Sequence, residues 1–475
     1  MEGATQSVAL IVTIALVIVY LGITTWLTLR YRARTSDDYM VAARSVPAVV
    51  IGVLMMSEFI APKSTVGVAQ AAFESGMAAS WAVASVAIGF LLFGWVLAKK
   101  LYASGEYTIS AAIAKKYGRS TQLTVSLIMI YALLLVLVAQ YVSGAAVLAS
   151  TFGLSLTTSS LLIAAISVFY CMIGGQKSTA YVSLMHTLFK ILGVVIVLGV
   201  ALYMSGGVTP VVEKLPPVYF SWGGTIGPTT IIAWTIASIG AIFSTQYIIQ
   251  AIASLERPED VRKACNISAL LCLPISIALG LIGVTAKYLF PGIKSLYAFP
   301  VFLSHMPPFL AAIVTVSIIA SILVAVGSAV LAICALIVRD FYVPWRKPDV
   351  ETELRMARLL ALPIGFLPLL LVFFVPEILH LSFFTRALRL SISVVAIFAF
   401  YFPRFGSNSG ATIGLIGATV TTTAWYMMGD PFGIDDIYIA LITPAIVMLI
   451  EWLVSGSVQK RQVVQSLAGS TQHRR

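Results

Sequence analysis

The sequence predicts an all-α polytopic membrane protein of about thirteen transmembrane helices. Three observations predict it. Of its 475 residues, 59% are hydrophobic and only 10% are charged, whereas a soluble domain carries about 25% charged residues. Apolar segments near the ~20 residues that span a bilayer recur along the whole chain, with mostly short connections and no appended soluble domain. The basic residues alternate between the two sides that such segments define.

The segments are 6–29, 47–73, 77–98, 121–150, 156–173, 179–204, 229–253, 264–289, 308–338, 356–375, 379–402, 411–428 and 437–454. With the N-terminus outside, the inner loops and tail hold 23 of the 30 basic residues, and the outer side holds Lys214, Lys287 and Lys294. Cytoplasmic loops are the basic ones, and a miscounted helix would scramble the alternation after it. The net charge of +11 therefore reads as an orientation signal, not as a nucleic-acid footprint. The expected location is the plasma membrane, multi-pass, with a cytoplasmic C-terminus. The first segment lacks a basic leader and a small-residue cleavage site, so it reads as a retained helix. Cys171, Cys265, Cys272 and Cys334 lie in or beside apolar segments without metal-ligand spacing and read as packing.

Two spans look interrupted. The second carries Ser57, Glu58, Pro62, Lys63, Ser64 and Thr65; the seventh carries Ser238, Gly240, Ser244, Thr245 and Gln246. They are five spans apart. Irregular backbone at membrane depth persists only where protein or a water-filled cavity covers it. Breaks at matching positions of two halves point to an inverted-repeat transporter with its site at the midplane. A proline kink plus a small-residue packing face is the structural alternative.

Five stretches then carry a resemblance. They are SDDYMVAARSVP from Ser36, YTISAAIAKKYG from Tyr107, YCMIGGQKSTAYVS from Tyr170, TQYIIQAIASLERPEDVRKA from Thr245 and ASILVAVGSAVLAICALIVRDFY from Ala320. In this order and topology they resemble the sodium/solute symporter family from about residue 36 to about 455. The resemblance implies a ten-helix transport core over 36–405, with a first repeat near 47–205 and an inverted second repeat near 225–403. It leaves 1–35 as a peripheral first helix and inner loop, 406–455 as two peripheral helices and 456–475 as a basic cytoplasmic tail. It implies alternating access around a central site.

The departures concern the ion. The resemblance implies sodium between the second-span break and two adjacent hydroxyl residues on the ninth span. Those positions align with Val324 and Ala325, whose side chains offer no oxygen to a hard cation. A frequent acidic position on the sixth span is Ser183. Lys63, just past the break, is expected to reach back as a tethered cation onto the Ser57 and Ile60 carbonyls, with Glu58 as counter-charge or proton carrier. On an intact helix Glu58 and Lys63 would point about 140° apart, so their pairing requires the break. A buried ion pair that only shapes the break, or a lysine snorkelling to the interface, are the alternatives.

Ser183, His186 and Lys190 share one face of the sixth span and suit proton movement, or line a water-filled stripe. Arg386 and Arg389 share one face of the eleventh span and form a fork for a carboxylate, or hold lipid phosphate or carbonyls; Glu377 and His380 lie near enough to pair with them. Ser57, Glu58, Gln70, Gln246 and Tyr247 complete the expected substrate set, and Ser64 would add a donor. Tyr141 and Tyr181 are gate aromatics or packing. Arg339–Asp340 reads as a structural helix terminus.

The expected function is secondary transport of a small polar solute, an organic anion such as a carboxylate or amino acid, proton-coupled or facilitative. No cofactor is expected. Sodium bound by carbonyls with Ser57, Ser328 or Ser183 is the alternative, and a sensor working with a separate kinase is another. No metal-hydrolase, nucleophile-elbow or Walker motif is present, which argues against an enzyme or an ATP-driven pump.

Overall fold

The structure is a computed structural model that describes the backbone of residues 2–372 and 378–472 and the side chains of residues 11–372 and 378–455. Among them there is no strand; one parallel bridge pairs Val46 with Leu255. The larger helices are α1 (Glu2–Arg30), α2 (Ala48–Phe59), α3 (Pro62–Ser75), α4 (Trp81–Val96), α5 (Ile109–Tyr117), α6 (Arg119–Phe152), α7 (Leu156–Ser205) and α8 (Pro228–Ser244). They continue with α9 (Gln246–Ala253), α10 (Asp260–Leu289), α11 (Pro308–Leu336), α12 (Val350–Phe366), α13 (Ile378–Tyr401), α14 (Asn408–Met427) and α15 (Asp436–Gln472).

Local chemistry sets the ends. Pro62, Pro228 and Pro308 open α3, α8 and α11, where the missing N–H is not needed and φ is already helical. The hydroxyls of Thr108 and Ser155 accept from the amides of Ala111 and Thr158, which satisfies first-turn donors.

Among the described residues eight helices are long and apolar enough to cross a membrane, and the pairs α2–α3 and α8–α9, bent by 49° and 48°, each pass the same test when taken together as one span. The fifth and sixth expected spans join into α7, whose 50 residues reach ~75 Å at 1.5 Å per residue, enough for two crossings. The two halves of α7 meet at a kink where the sequence reading places the boundary between those spans: the Gly174 carbonyl accepts from the Ala33 amide at 3.0 Å, and Gly175 leaves helical geometry at φ 76°. A Cβ there would lie 2.7 Å from the Tyr39 ring, so glycine is required twice over. The 17-residue α12 and 20-residue α14 hold the positions of the tenth and twelfth spans.

The broken helices lie at the centre. α2 packs on α7 and α10, α3 on α6, α10 and α13, and α8 on α4 and α13. Gly240 lets α8 close on α13: a Cβ would meet Leu390 Cα at 2.9 Å. α11 is buried along nearly its whole length between α7, α6 and α1. α1 and α15 present isoleucines and leucines outward, as lipid-facing helices do.

Candidate functional site

The first break begins where α2 runs out. Ile60 (ψ 86°) and Ala61 (ψ −178°) leave helical geometry, and Pro62 has no amide hydrogen to continue the ladder. The last carbonyls of a helix lack intrahelical partners and carry its negative dipole end. Into this gap comes Lys190 of α7. Its Nζ donates to Ser57 O at 2.7 Å, Ser57 Oγ at 2.8 Å and Ile60 O at 2.5 Å. An ammonium has three donors, and all three are used; the residue is 1% exposed.

This corrects the expectation for Lys63. Its ammonium does not reach the Ser57 and Ile60 carbonyls. It is fully buried, and its Nζ has no hydrogen-bond partner among the described residues. Only its backbone amide is engaged, donating to Gln140 Oε1 at 3.1 Å. The bend places Lys63 in the first turn of α3, on the side of Arg386 and Arg389, whose charges act on it. It also forms no ion pair with Glu58. The Glu58 carboxylate is buried against the Ser328 hydroxyl, and neither makes a well-aligned hydrogen bond to any other described residue. The charge that acts on Glu58 is that of Lys190.

Arg386 and Arg389 are stitched to the second break. Arg389 Nη1 donates to Thr245 Oγ1 at 2.8 Å, Nε to Thr385 O at 2.8 Å and Nη2 to Thr385 Oγ1 at 3.2 Å. Arg386 Nη1 donates to Ser238 Oγ at 2.7 Å and Ala82 O at 3.0 Å, while its Nε has no partner. No carboxylate is among these partners. Among the described residues around the two breaks, four buried side chains are thus basic, Lys63, Lys190, Arg386 and Arg389, and one is acidic, Glu58. The expected pairing with His380 is not formed: His380 Nε2 lies 3.6 Å from Asp430. Glu377 lies outside the described residues.

Other expected site residues are occupied locally. Gln246 accepts from the Ile109 amide at 3.0 Å and donates to Tyr107 O at 2.8 Å, so both ends of its amide hold the start of α5. Ser183 donates to Ala180 O, Ser64 to Phe59 O and Tyr141 to Gly365 O. Tyr181 stacks on Tyr31 at 4.6 Å. The buried Tyr247 hydroxyl lies against the Arg389 guanidinium, with the charge of Arg386 also acting on it. His186 bonds through Nδ1 to the hydroxyl of Tyr20 on α1. Beside it Val324 lines a cavity of about 30 Å³ with Thr24, Thr28 and Ser178. Ala325 is buried too. Asp340 accepts from Ser110, Ser126 and Gln122, a helix-terminus lock.

Above the breaks lies a vestibule of about 640 Å³. Gly67, Gln70, Trp234 and Phe383 line it together with Glu74, His380, Asp430, Asp435 and Asp436. Trp234 and Phe383 stack with centroids 4.4 Å apart, and the Arg386 guanidinium lies 4.5 Å from the Phe383 ring. Phe383 thus separates vestibule from guanidinium. Tyr20, Trp234 and Phe383 were missed in the sequence. A lone aromatic in an apolar helix carries no signal, because its role depends on which helix faces it. Among the described residues no three His, Cys, Asp or Glu side chains are grouped to hold a metal ion.

The description "Sodium:solute symporter family" matches residues 39–418, four-fifths of the chain. The chain belongs to the sodium:solute symporter family. The symporter is 22% identical to the sodium/pantothenate symporter of Haemophilus influenzae, over 91% of this chain and 93% of that one. It is 23% identical to solute carrier family 5 member 4B of Mus musculus, over 87% and 71%. Its fold is similar to that of a Na+-coupled sialic acid symporter in a substrate-bound outward-open state, with a TM-score of 0.80, 15% identity and coverage of 94% and 97%. The expected class holds: this symporter is an all-helical, multi-pass membrane transporter of the inverted-repeat type, not an enzyme.

Proposed function

We propose that this symporter carries a small organic anion, a carboxylate or amino acid, by alternating access through the outward-facing vestibule. In this reading it works without sodium, either proton-coupled or as a facilitator. The observation that carries the reading is the trio Lys63, Arg386 and Arg389, buried beneath the vestibule with no carboxylate partner among the described residues. Uncompensated buried charge is destabilising by several kcal/mol per ion, and an anion bound there would offset it. Lys63 Nζ and Arg386 Nε are open donors for it, and Tyr247 lies within the same field. Pantothenate and sialic acid, named for two similar proteins, are carboxylates. The buried Glu58 carboxyl, next to the Ser328 hydroxyl and within the field of Lys190, suits a proton carrier.

Sodium coupling is the second reading, favoured by the sodium in those proteins' names and by the buried oxygens of Ser328 and Glu58 side by side. The purified full chain, screened by thermal shift against acetate, succinate, glutamate, glucose and mannitol, tests the substrate class. Stabilisation by carboxylates alone is expected; stabilisation by the neutral sugars alone defeats the anion reading. Uptake of the stabilising solute into sodium-free proteoliposomes under an imposed pH gradient tests the coupling, and an absolute requirement for sodium defeats that part.

A further inference from the structure

We infer that the ammonium of Lys190 is the built-in cation of this symporter: it fills the first break, where a mobile ion would otherwise be coordinated, and its protonation sets whether α7 is tied to the α2–α3 hinge. The inference rests on the sodium-free part of the function proposed above and assigns a residue to it.

The geometry is that of an occupied cation site. Unwound carbonyls and the C-terminal ends of half-helices are where transporters of this type coordinate Na+ or H+. Here two such carbonyls and a hydroxyl converge on Lys190 Nζ within 2.5–2.8 Å. At the aligned ninth-span positions α11 carries Val324 and Ala325, hydrocarbon at both. The ammonium comes from α7 and its ligands from α2, so the contact bridges two elements that alternating access must move. Lysine suits the task because its charge is removable, whereas arginine stays protonated.

The groups that face Lys190 define where its proton goes. Glu58 on α2 and Cys272 on α10 act on it electrostatically. His186 lies one turn earlier on α7, held by Tyr20 of α1. Glu58 is the carboxylate in this set, and among the described residues it forms neither an ion pair nor a hydrogen bond with the ammonium. Transfer of one proton from the ammonium to that carboxylate would leave a neutral amine and a neutral acid, with no net charge created in the core. The amine then has two donors for three acceptors, and its charge no longer opposes the dipole end of α2. The hinge is released.

The test uses the purified full chain and needs no substrate. Binding of radioactive Na+ and thermal stability in NaCl, choline chloride and methylammonium chloride are measured for the wild type, Lys190→Ala and Lys190→Ser. The wild type is expected to bind Na+ only at background and to unfold at the same temperature in all three salts. Either truncation opens the carbonyl site, so the variants are expected to gain saturable Na+ binding or a rise in unfolding temperature of several degrees in Na+ or methylammonium over choline. A variant recovered folded only in Na+ or methylammonium buffer is the same rescue. Saturable Na+ binding by the wild type overturns both this inference and the sodium-free reading. A silent wild type with variants that neither bind nor are rescued by either cation overturns the role of Lys190 alone.

Discussion

Lys190 Nζ lies 2.5 Å from the carbonyl oxygen of Ile60, across the gap where the second span breaks. A side chain from the sixth span therefore completes the hydrogen bonding of the second. The Ser57 hydroxyl is the one side-chain ligand in that contact, at 2.8 Å. Hydrogen bonds to charged groups contribute about 1.5–3 kcal/mol. Ser57→Ala should lower stability by about that amount or somewhat less, since the two carbonyls remain. Thermal unfolding in detergent reads it. Unchanged stability together with lost carboxylate binding would return Ser57 to the substrate site.

The two arginines should separate by phenotype. Every nitrogen of Arg389 already donates to protein, whereas Arg386 Nε and Lys63 Nζ are open. Arg386→Gln and Lys63→Met should weaken carboxylate binding by about ten- to a hundredfold, or roughly 1.4–2.8 kcal/mol. Lys63→Met should not create sodium dependence. Arg389→Gln should act mainly on stability, because it unties α13 from Thr245. Calorimetric titration of the three variants checks the pattern; equal affinity losses in all three would contradict it.

A feature is legible in the sequence when the physics that sets it is local. The spans were readable because crossing a bilayer is a local property of ~20 residues. The first break was readable because Pro62 cannot continue a helix. Lys63 was misplaced for a tertiary reason. It is near the break in sequence, but the 49° bend sends the first turn of α3 toward α13. The carbonyls it was expected to reach belong to the facing helix, and facing partners are set by packing. Lys190 carried a partial signal, a cation in the middle of its span on the face of Ser183 and His186. Its destination required the fold.

Gln246 illustrates the same limit. Its place after the second break suggested a substrate contact, yet its amide caps α5 through Ile109 and Tyr107. Gln246→Ala would leave a buried amide and carbonyl unpaired, destabilising by about 1–3 kcal/mol. Carboxylate affinity should stay within about twofold, well under 1.4 kcal/mol. A large affinity loss at unchanged stability would place the side chain back at the solute.

The vestibule rim gives a pH prediction. Asp435 stands just before α15 and lines the vestibule with Asp430. Burial, and then the negative charge of Asp430, hold its carboxyl above the usual range, against the Ile437 amide that donates to it at 3.0 Å. The folded state therefore keeps this proton more tightly than the unfolded chain. Below the unfolded value of about 3.9 both states are protonated and the group has no effect. As pH rises past that value the unfolded state ionises first, and stability falls until the folded carboxyl also loses its proton. Asparagine removes the penalty and keeps an oxygen for the Ile437 amide. Asp435→Asn should raise the unfolding temperature by a few degrees near neutral pH and leave it unchanged near pH 2.5, about 1.4 units below the unfolded value of about 3.9, where both side chains are neutral. Equal gains at both pH values would mean that packing, not ionisation, governs this corner of the vestibule.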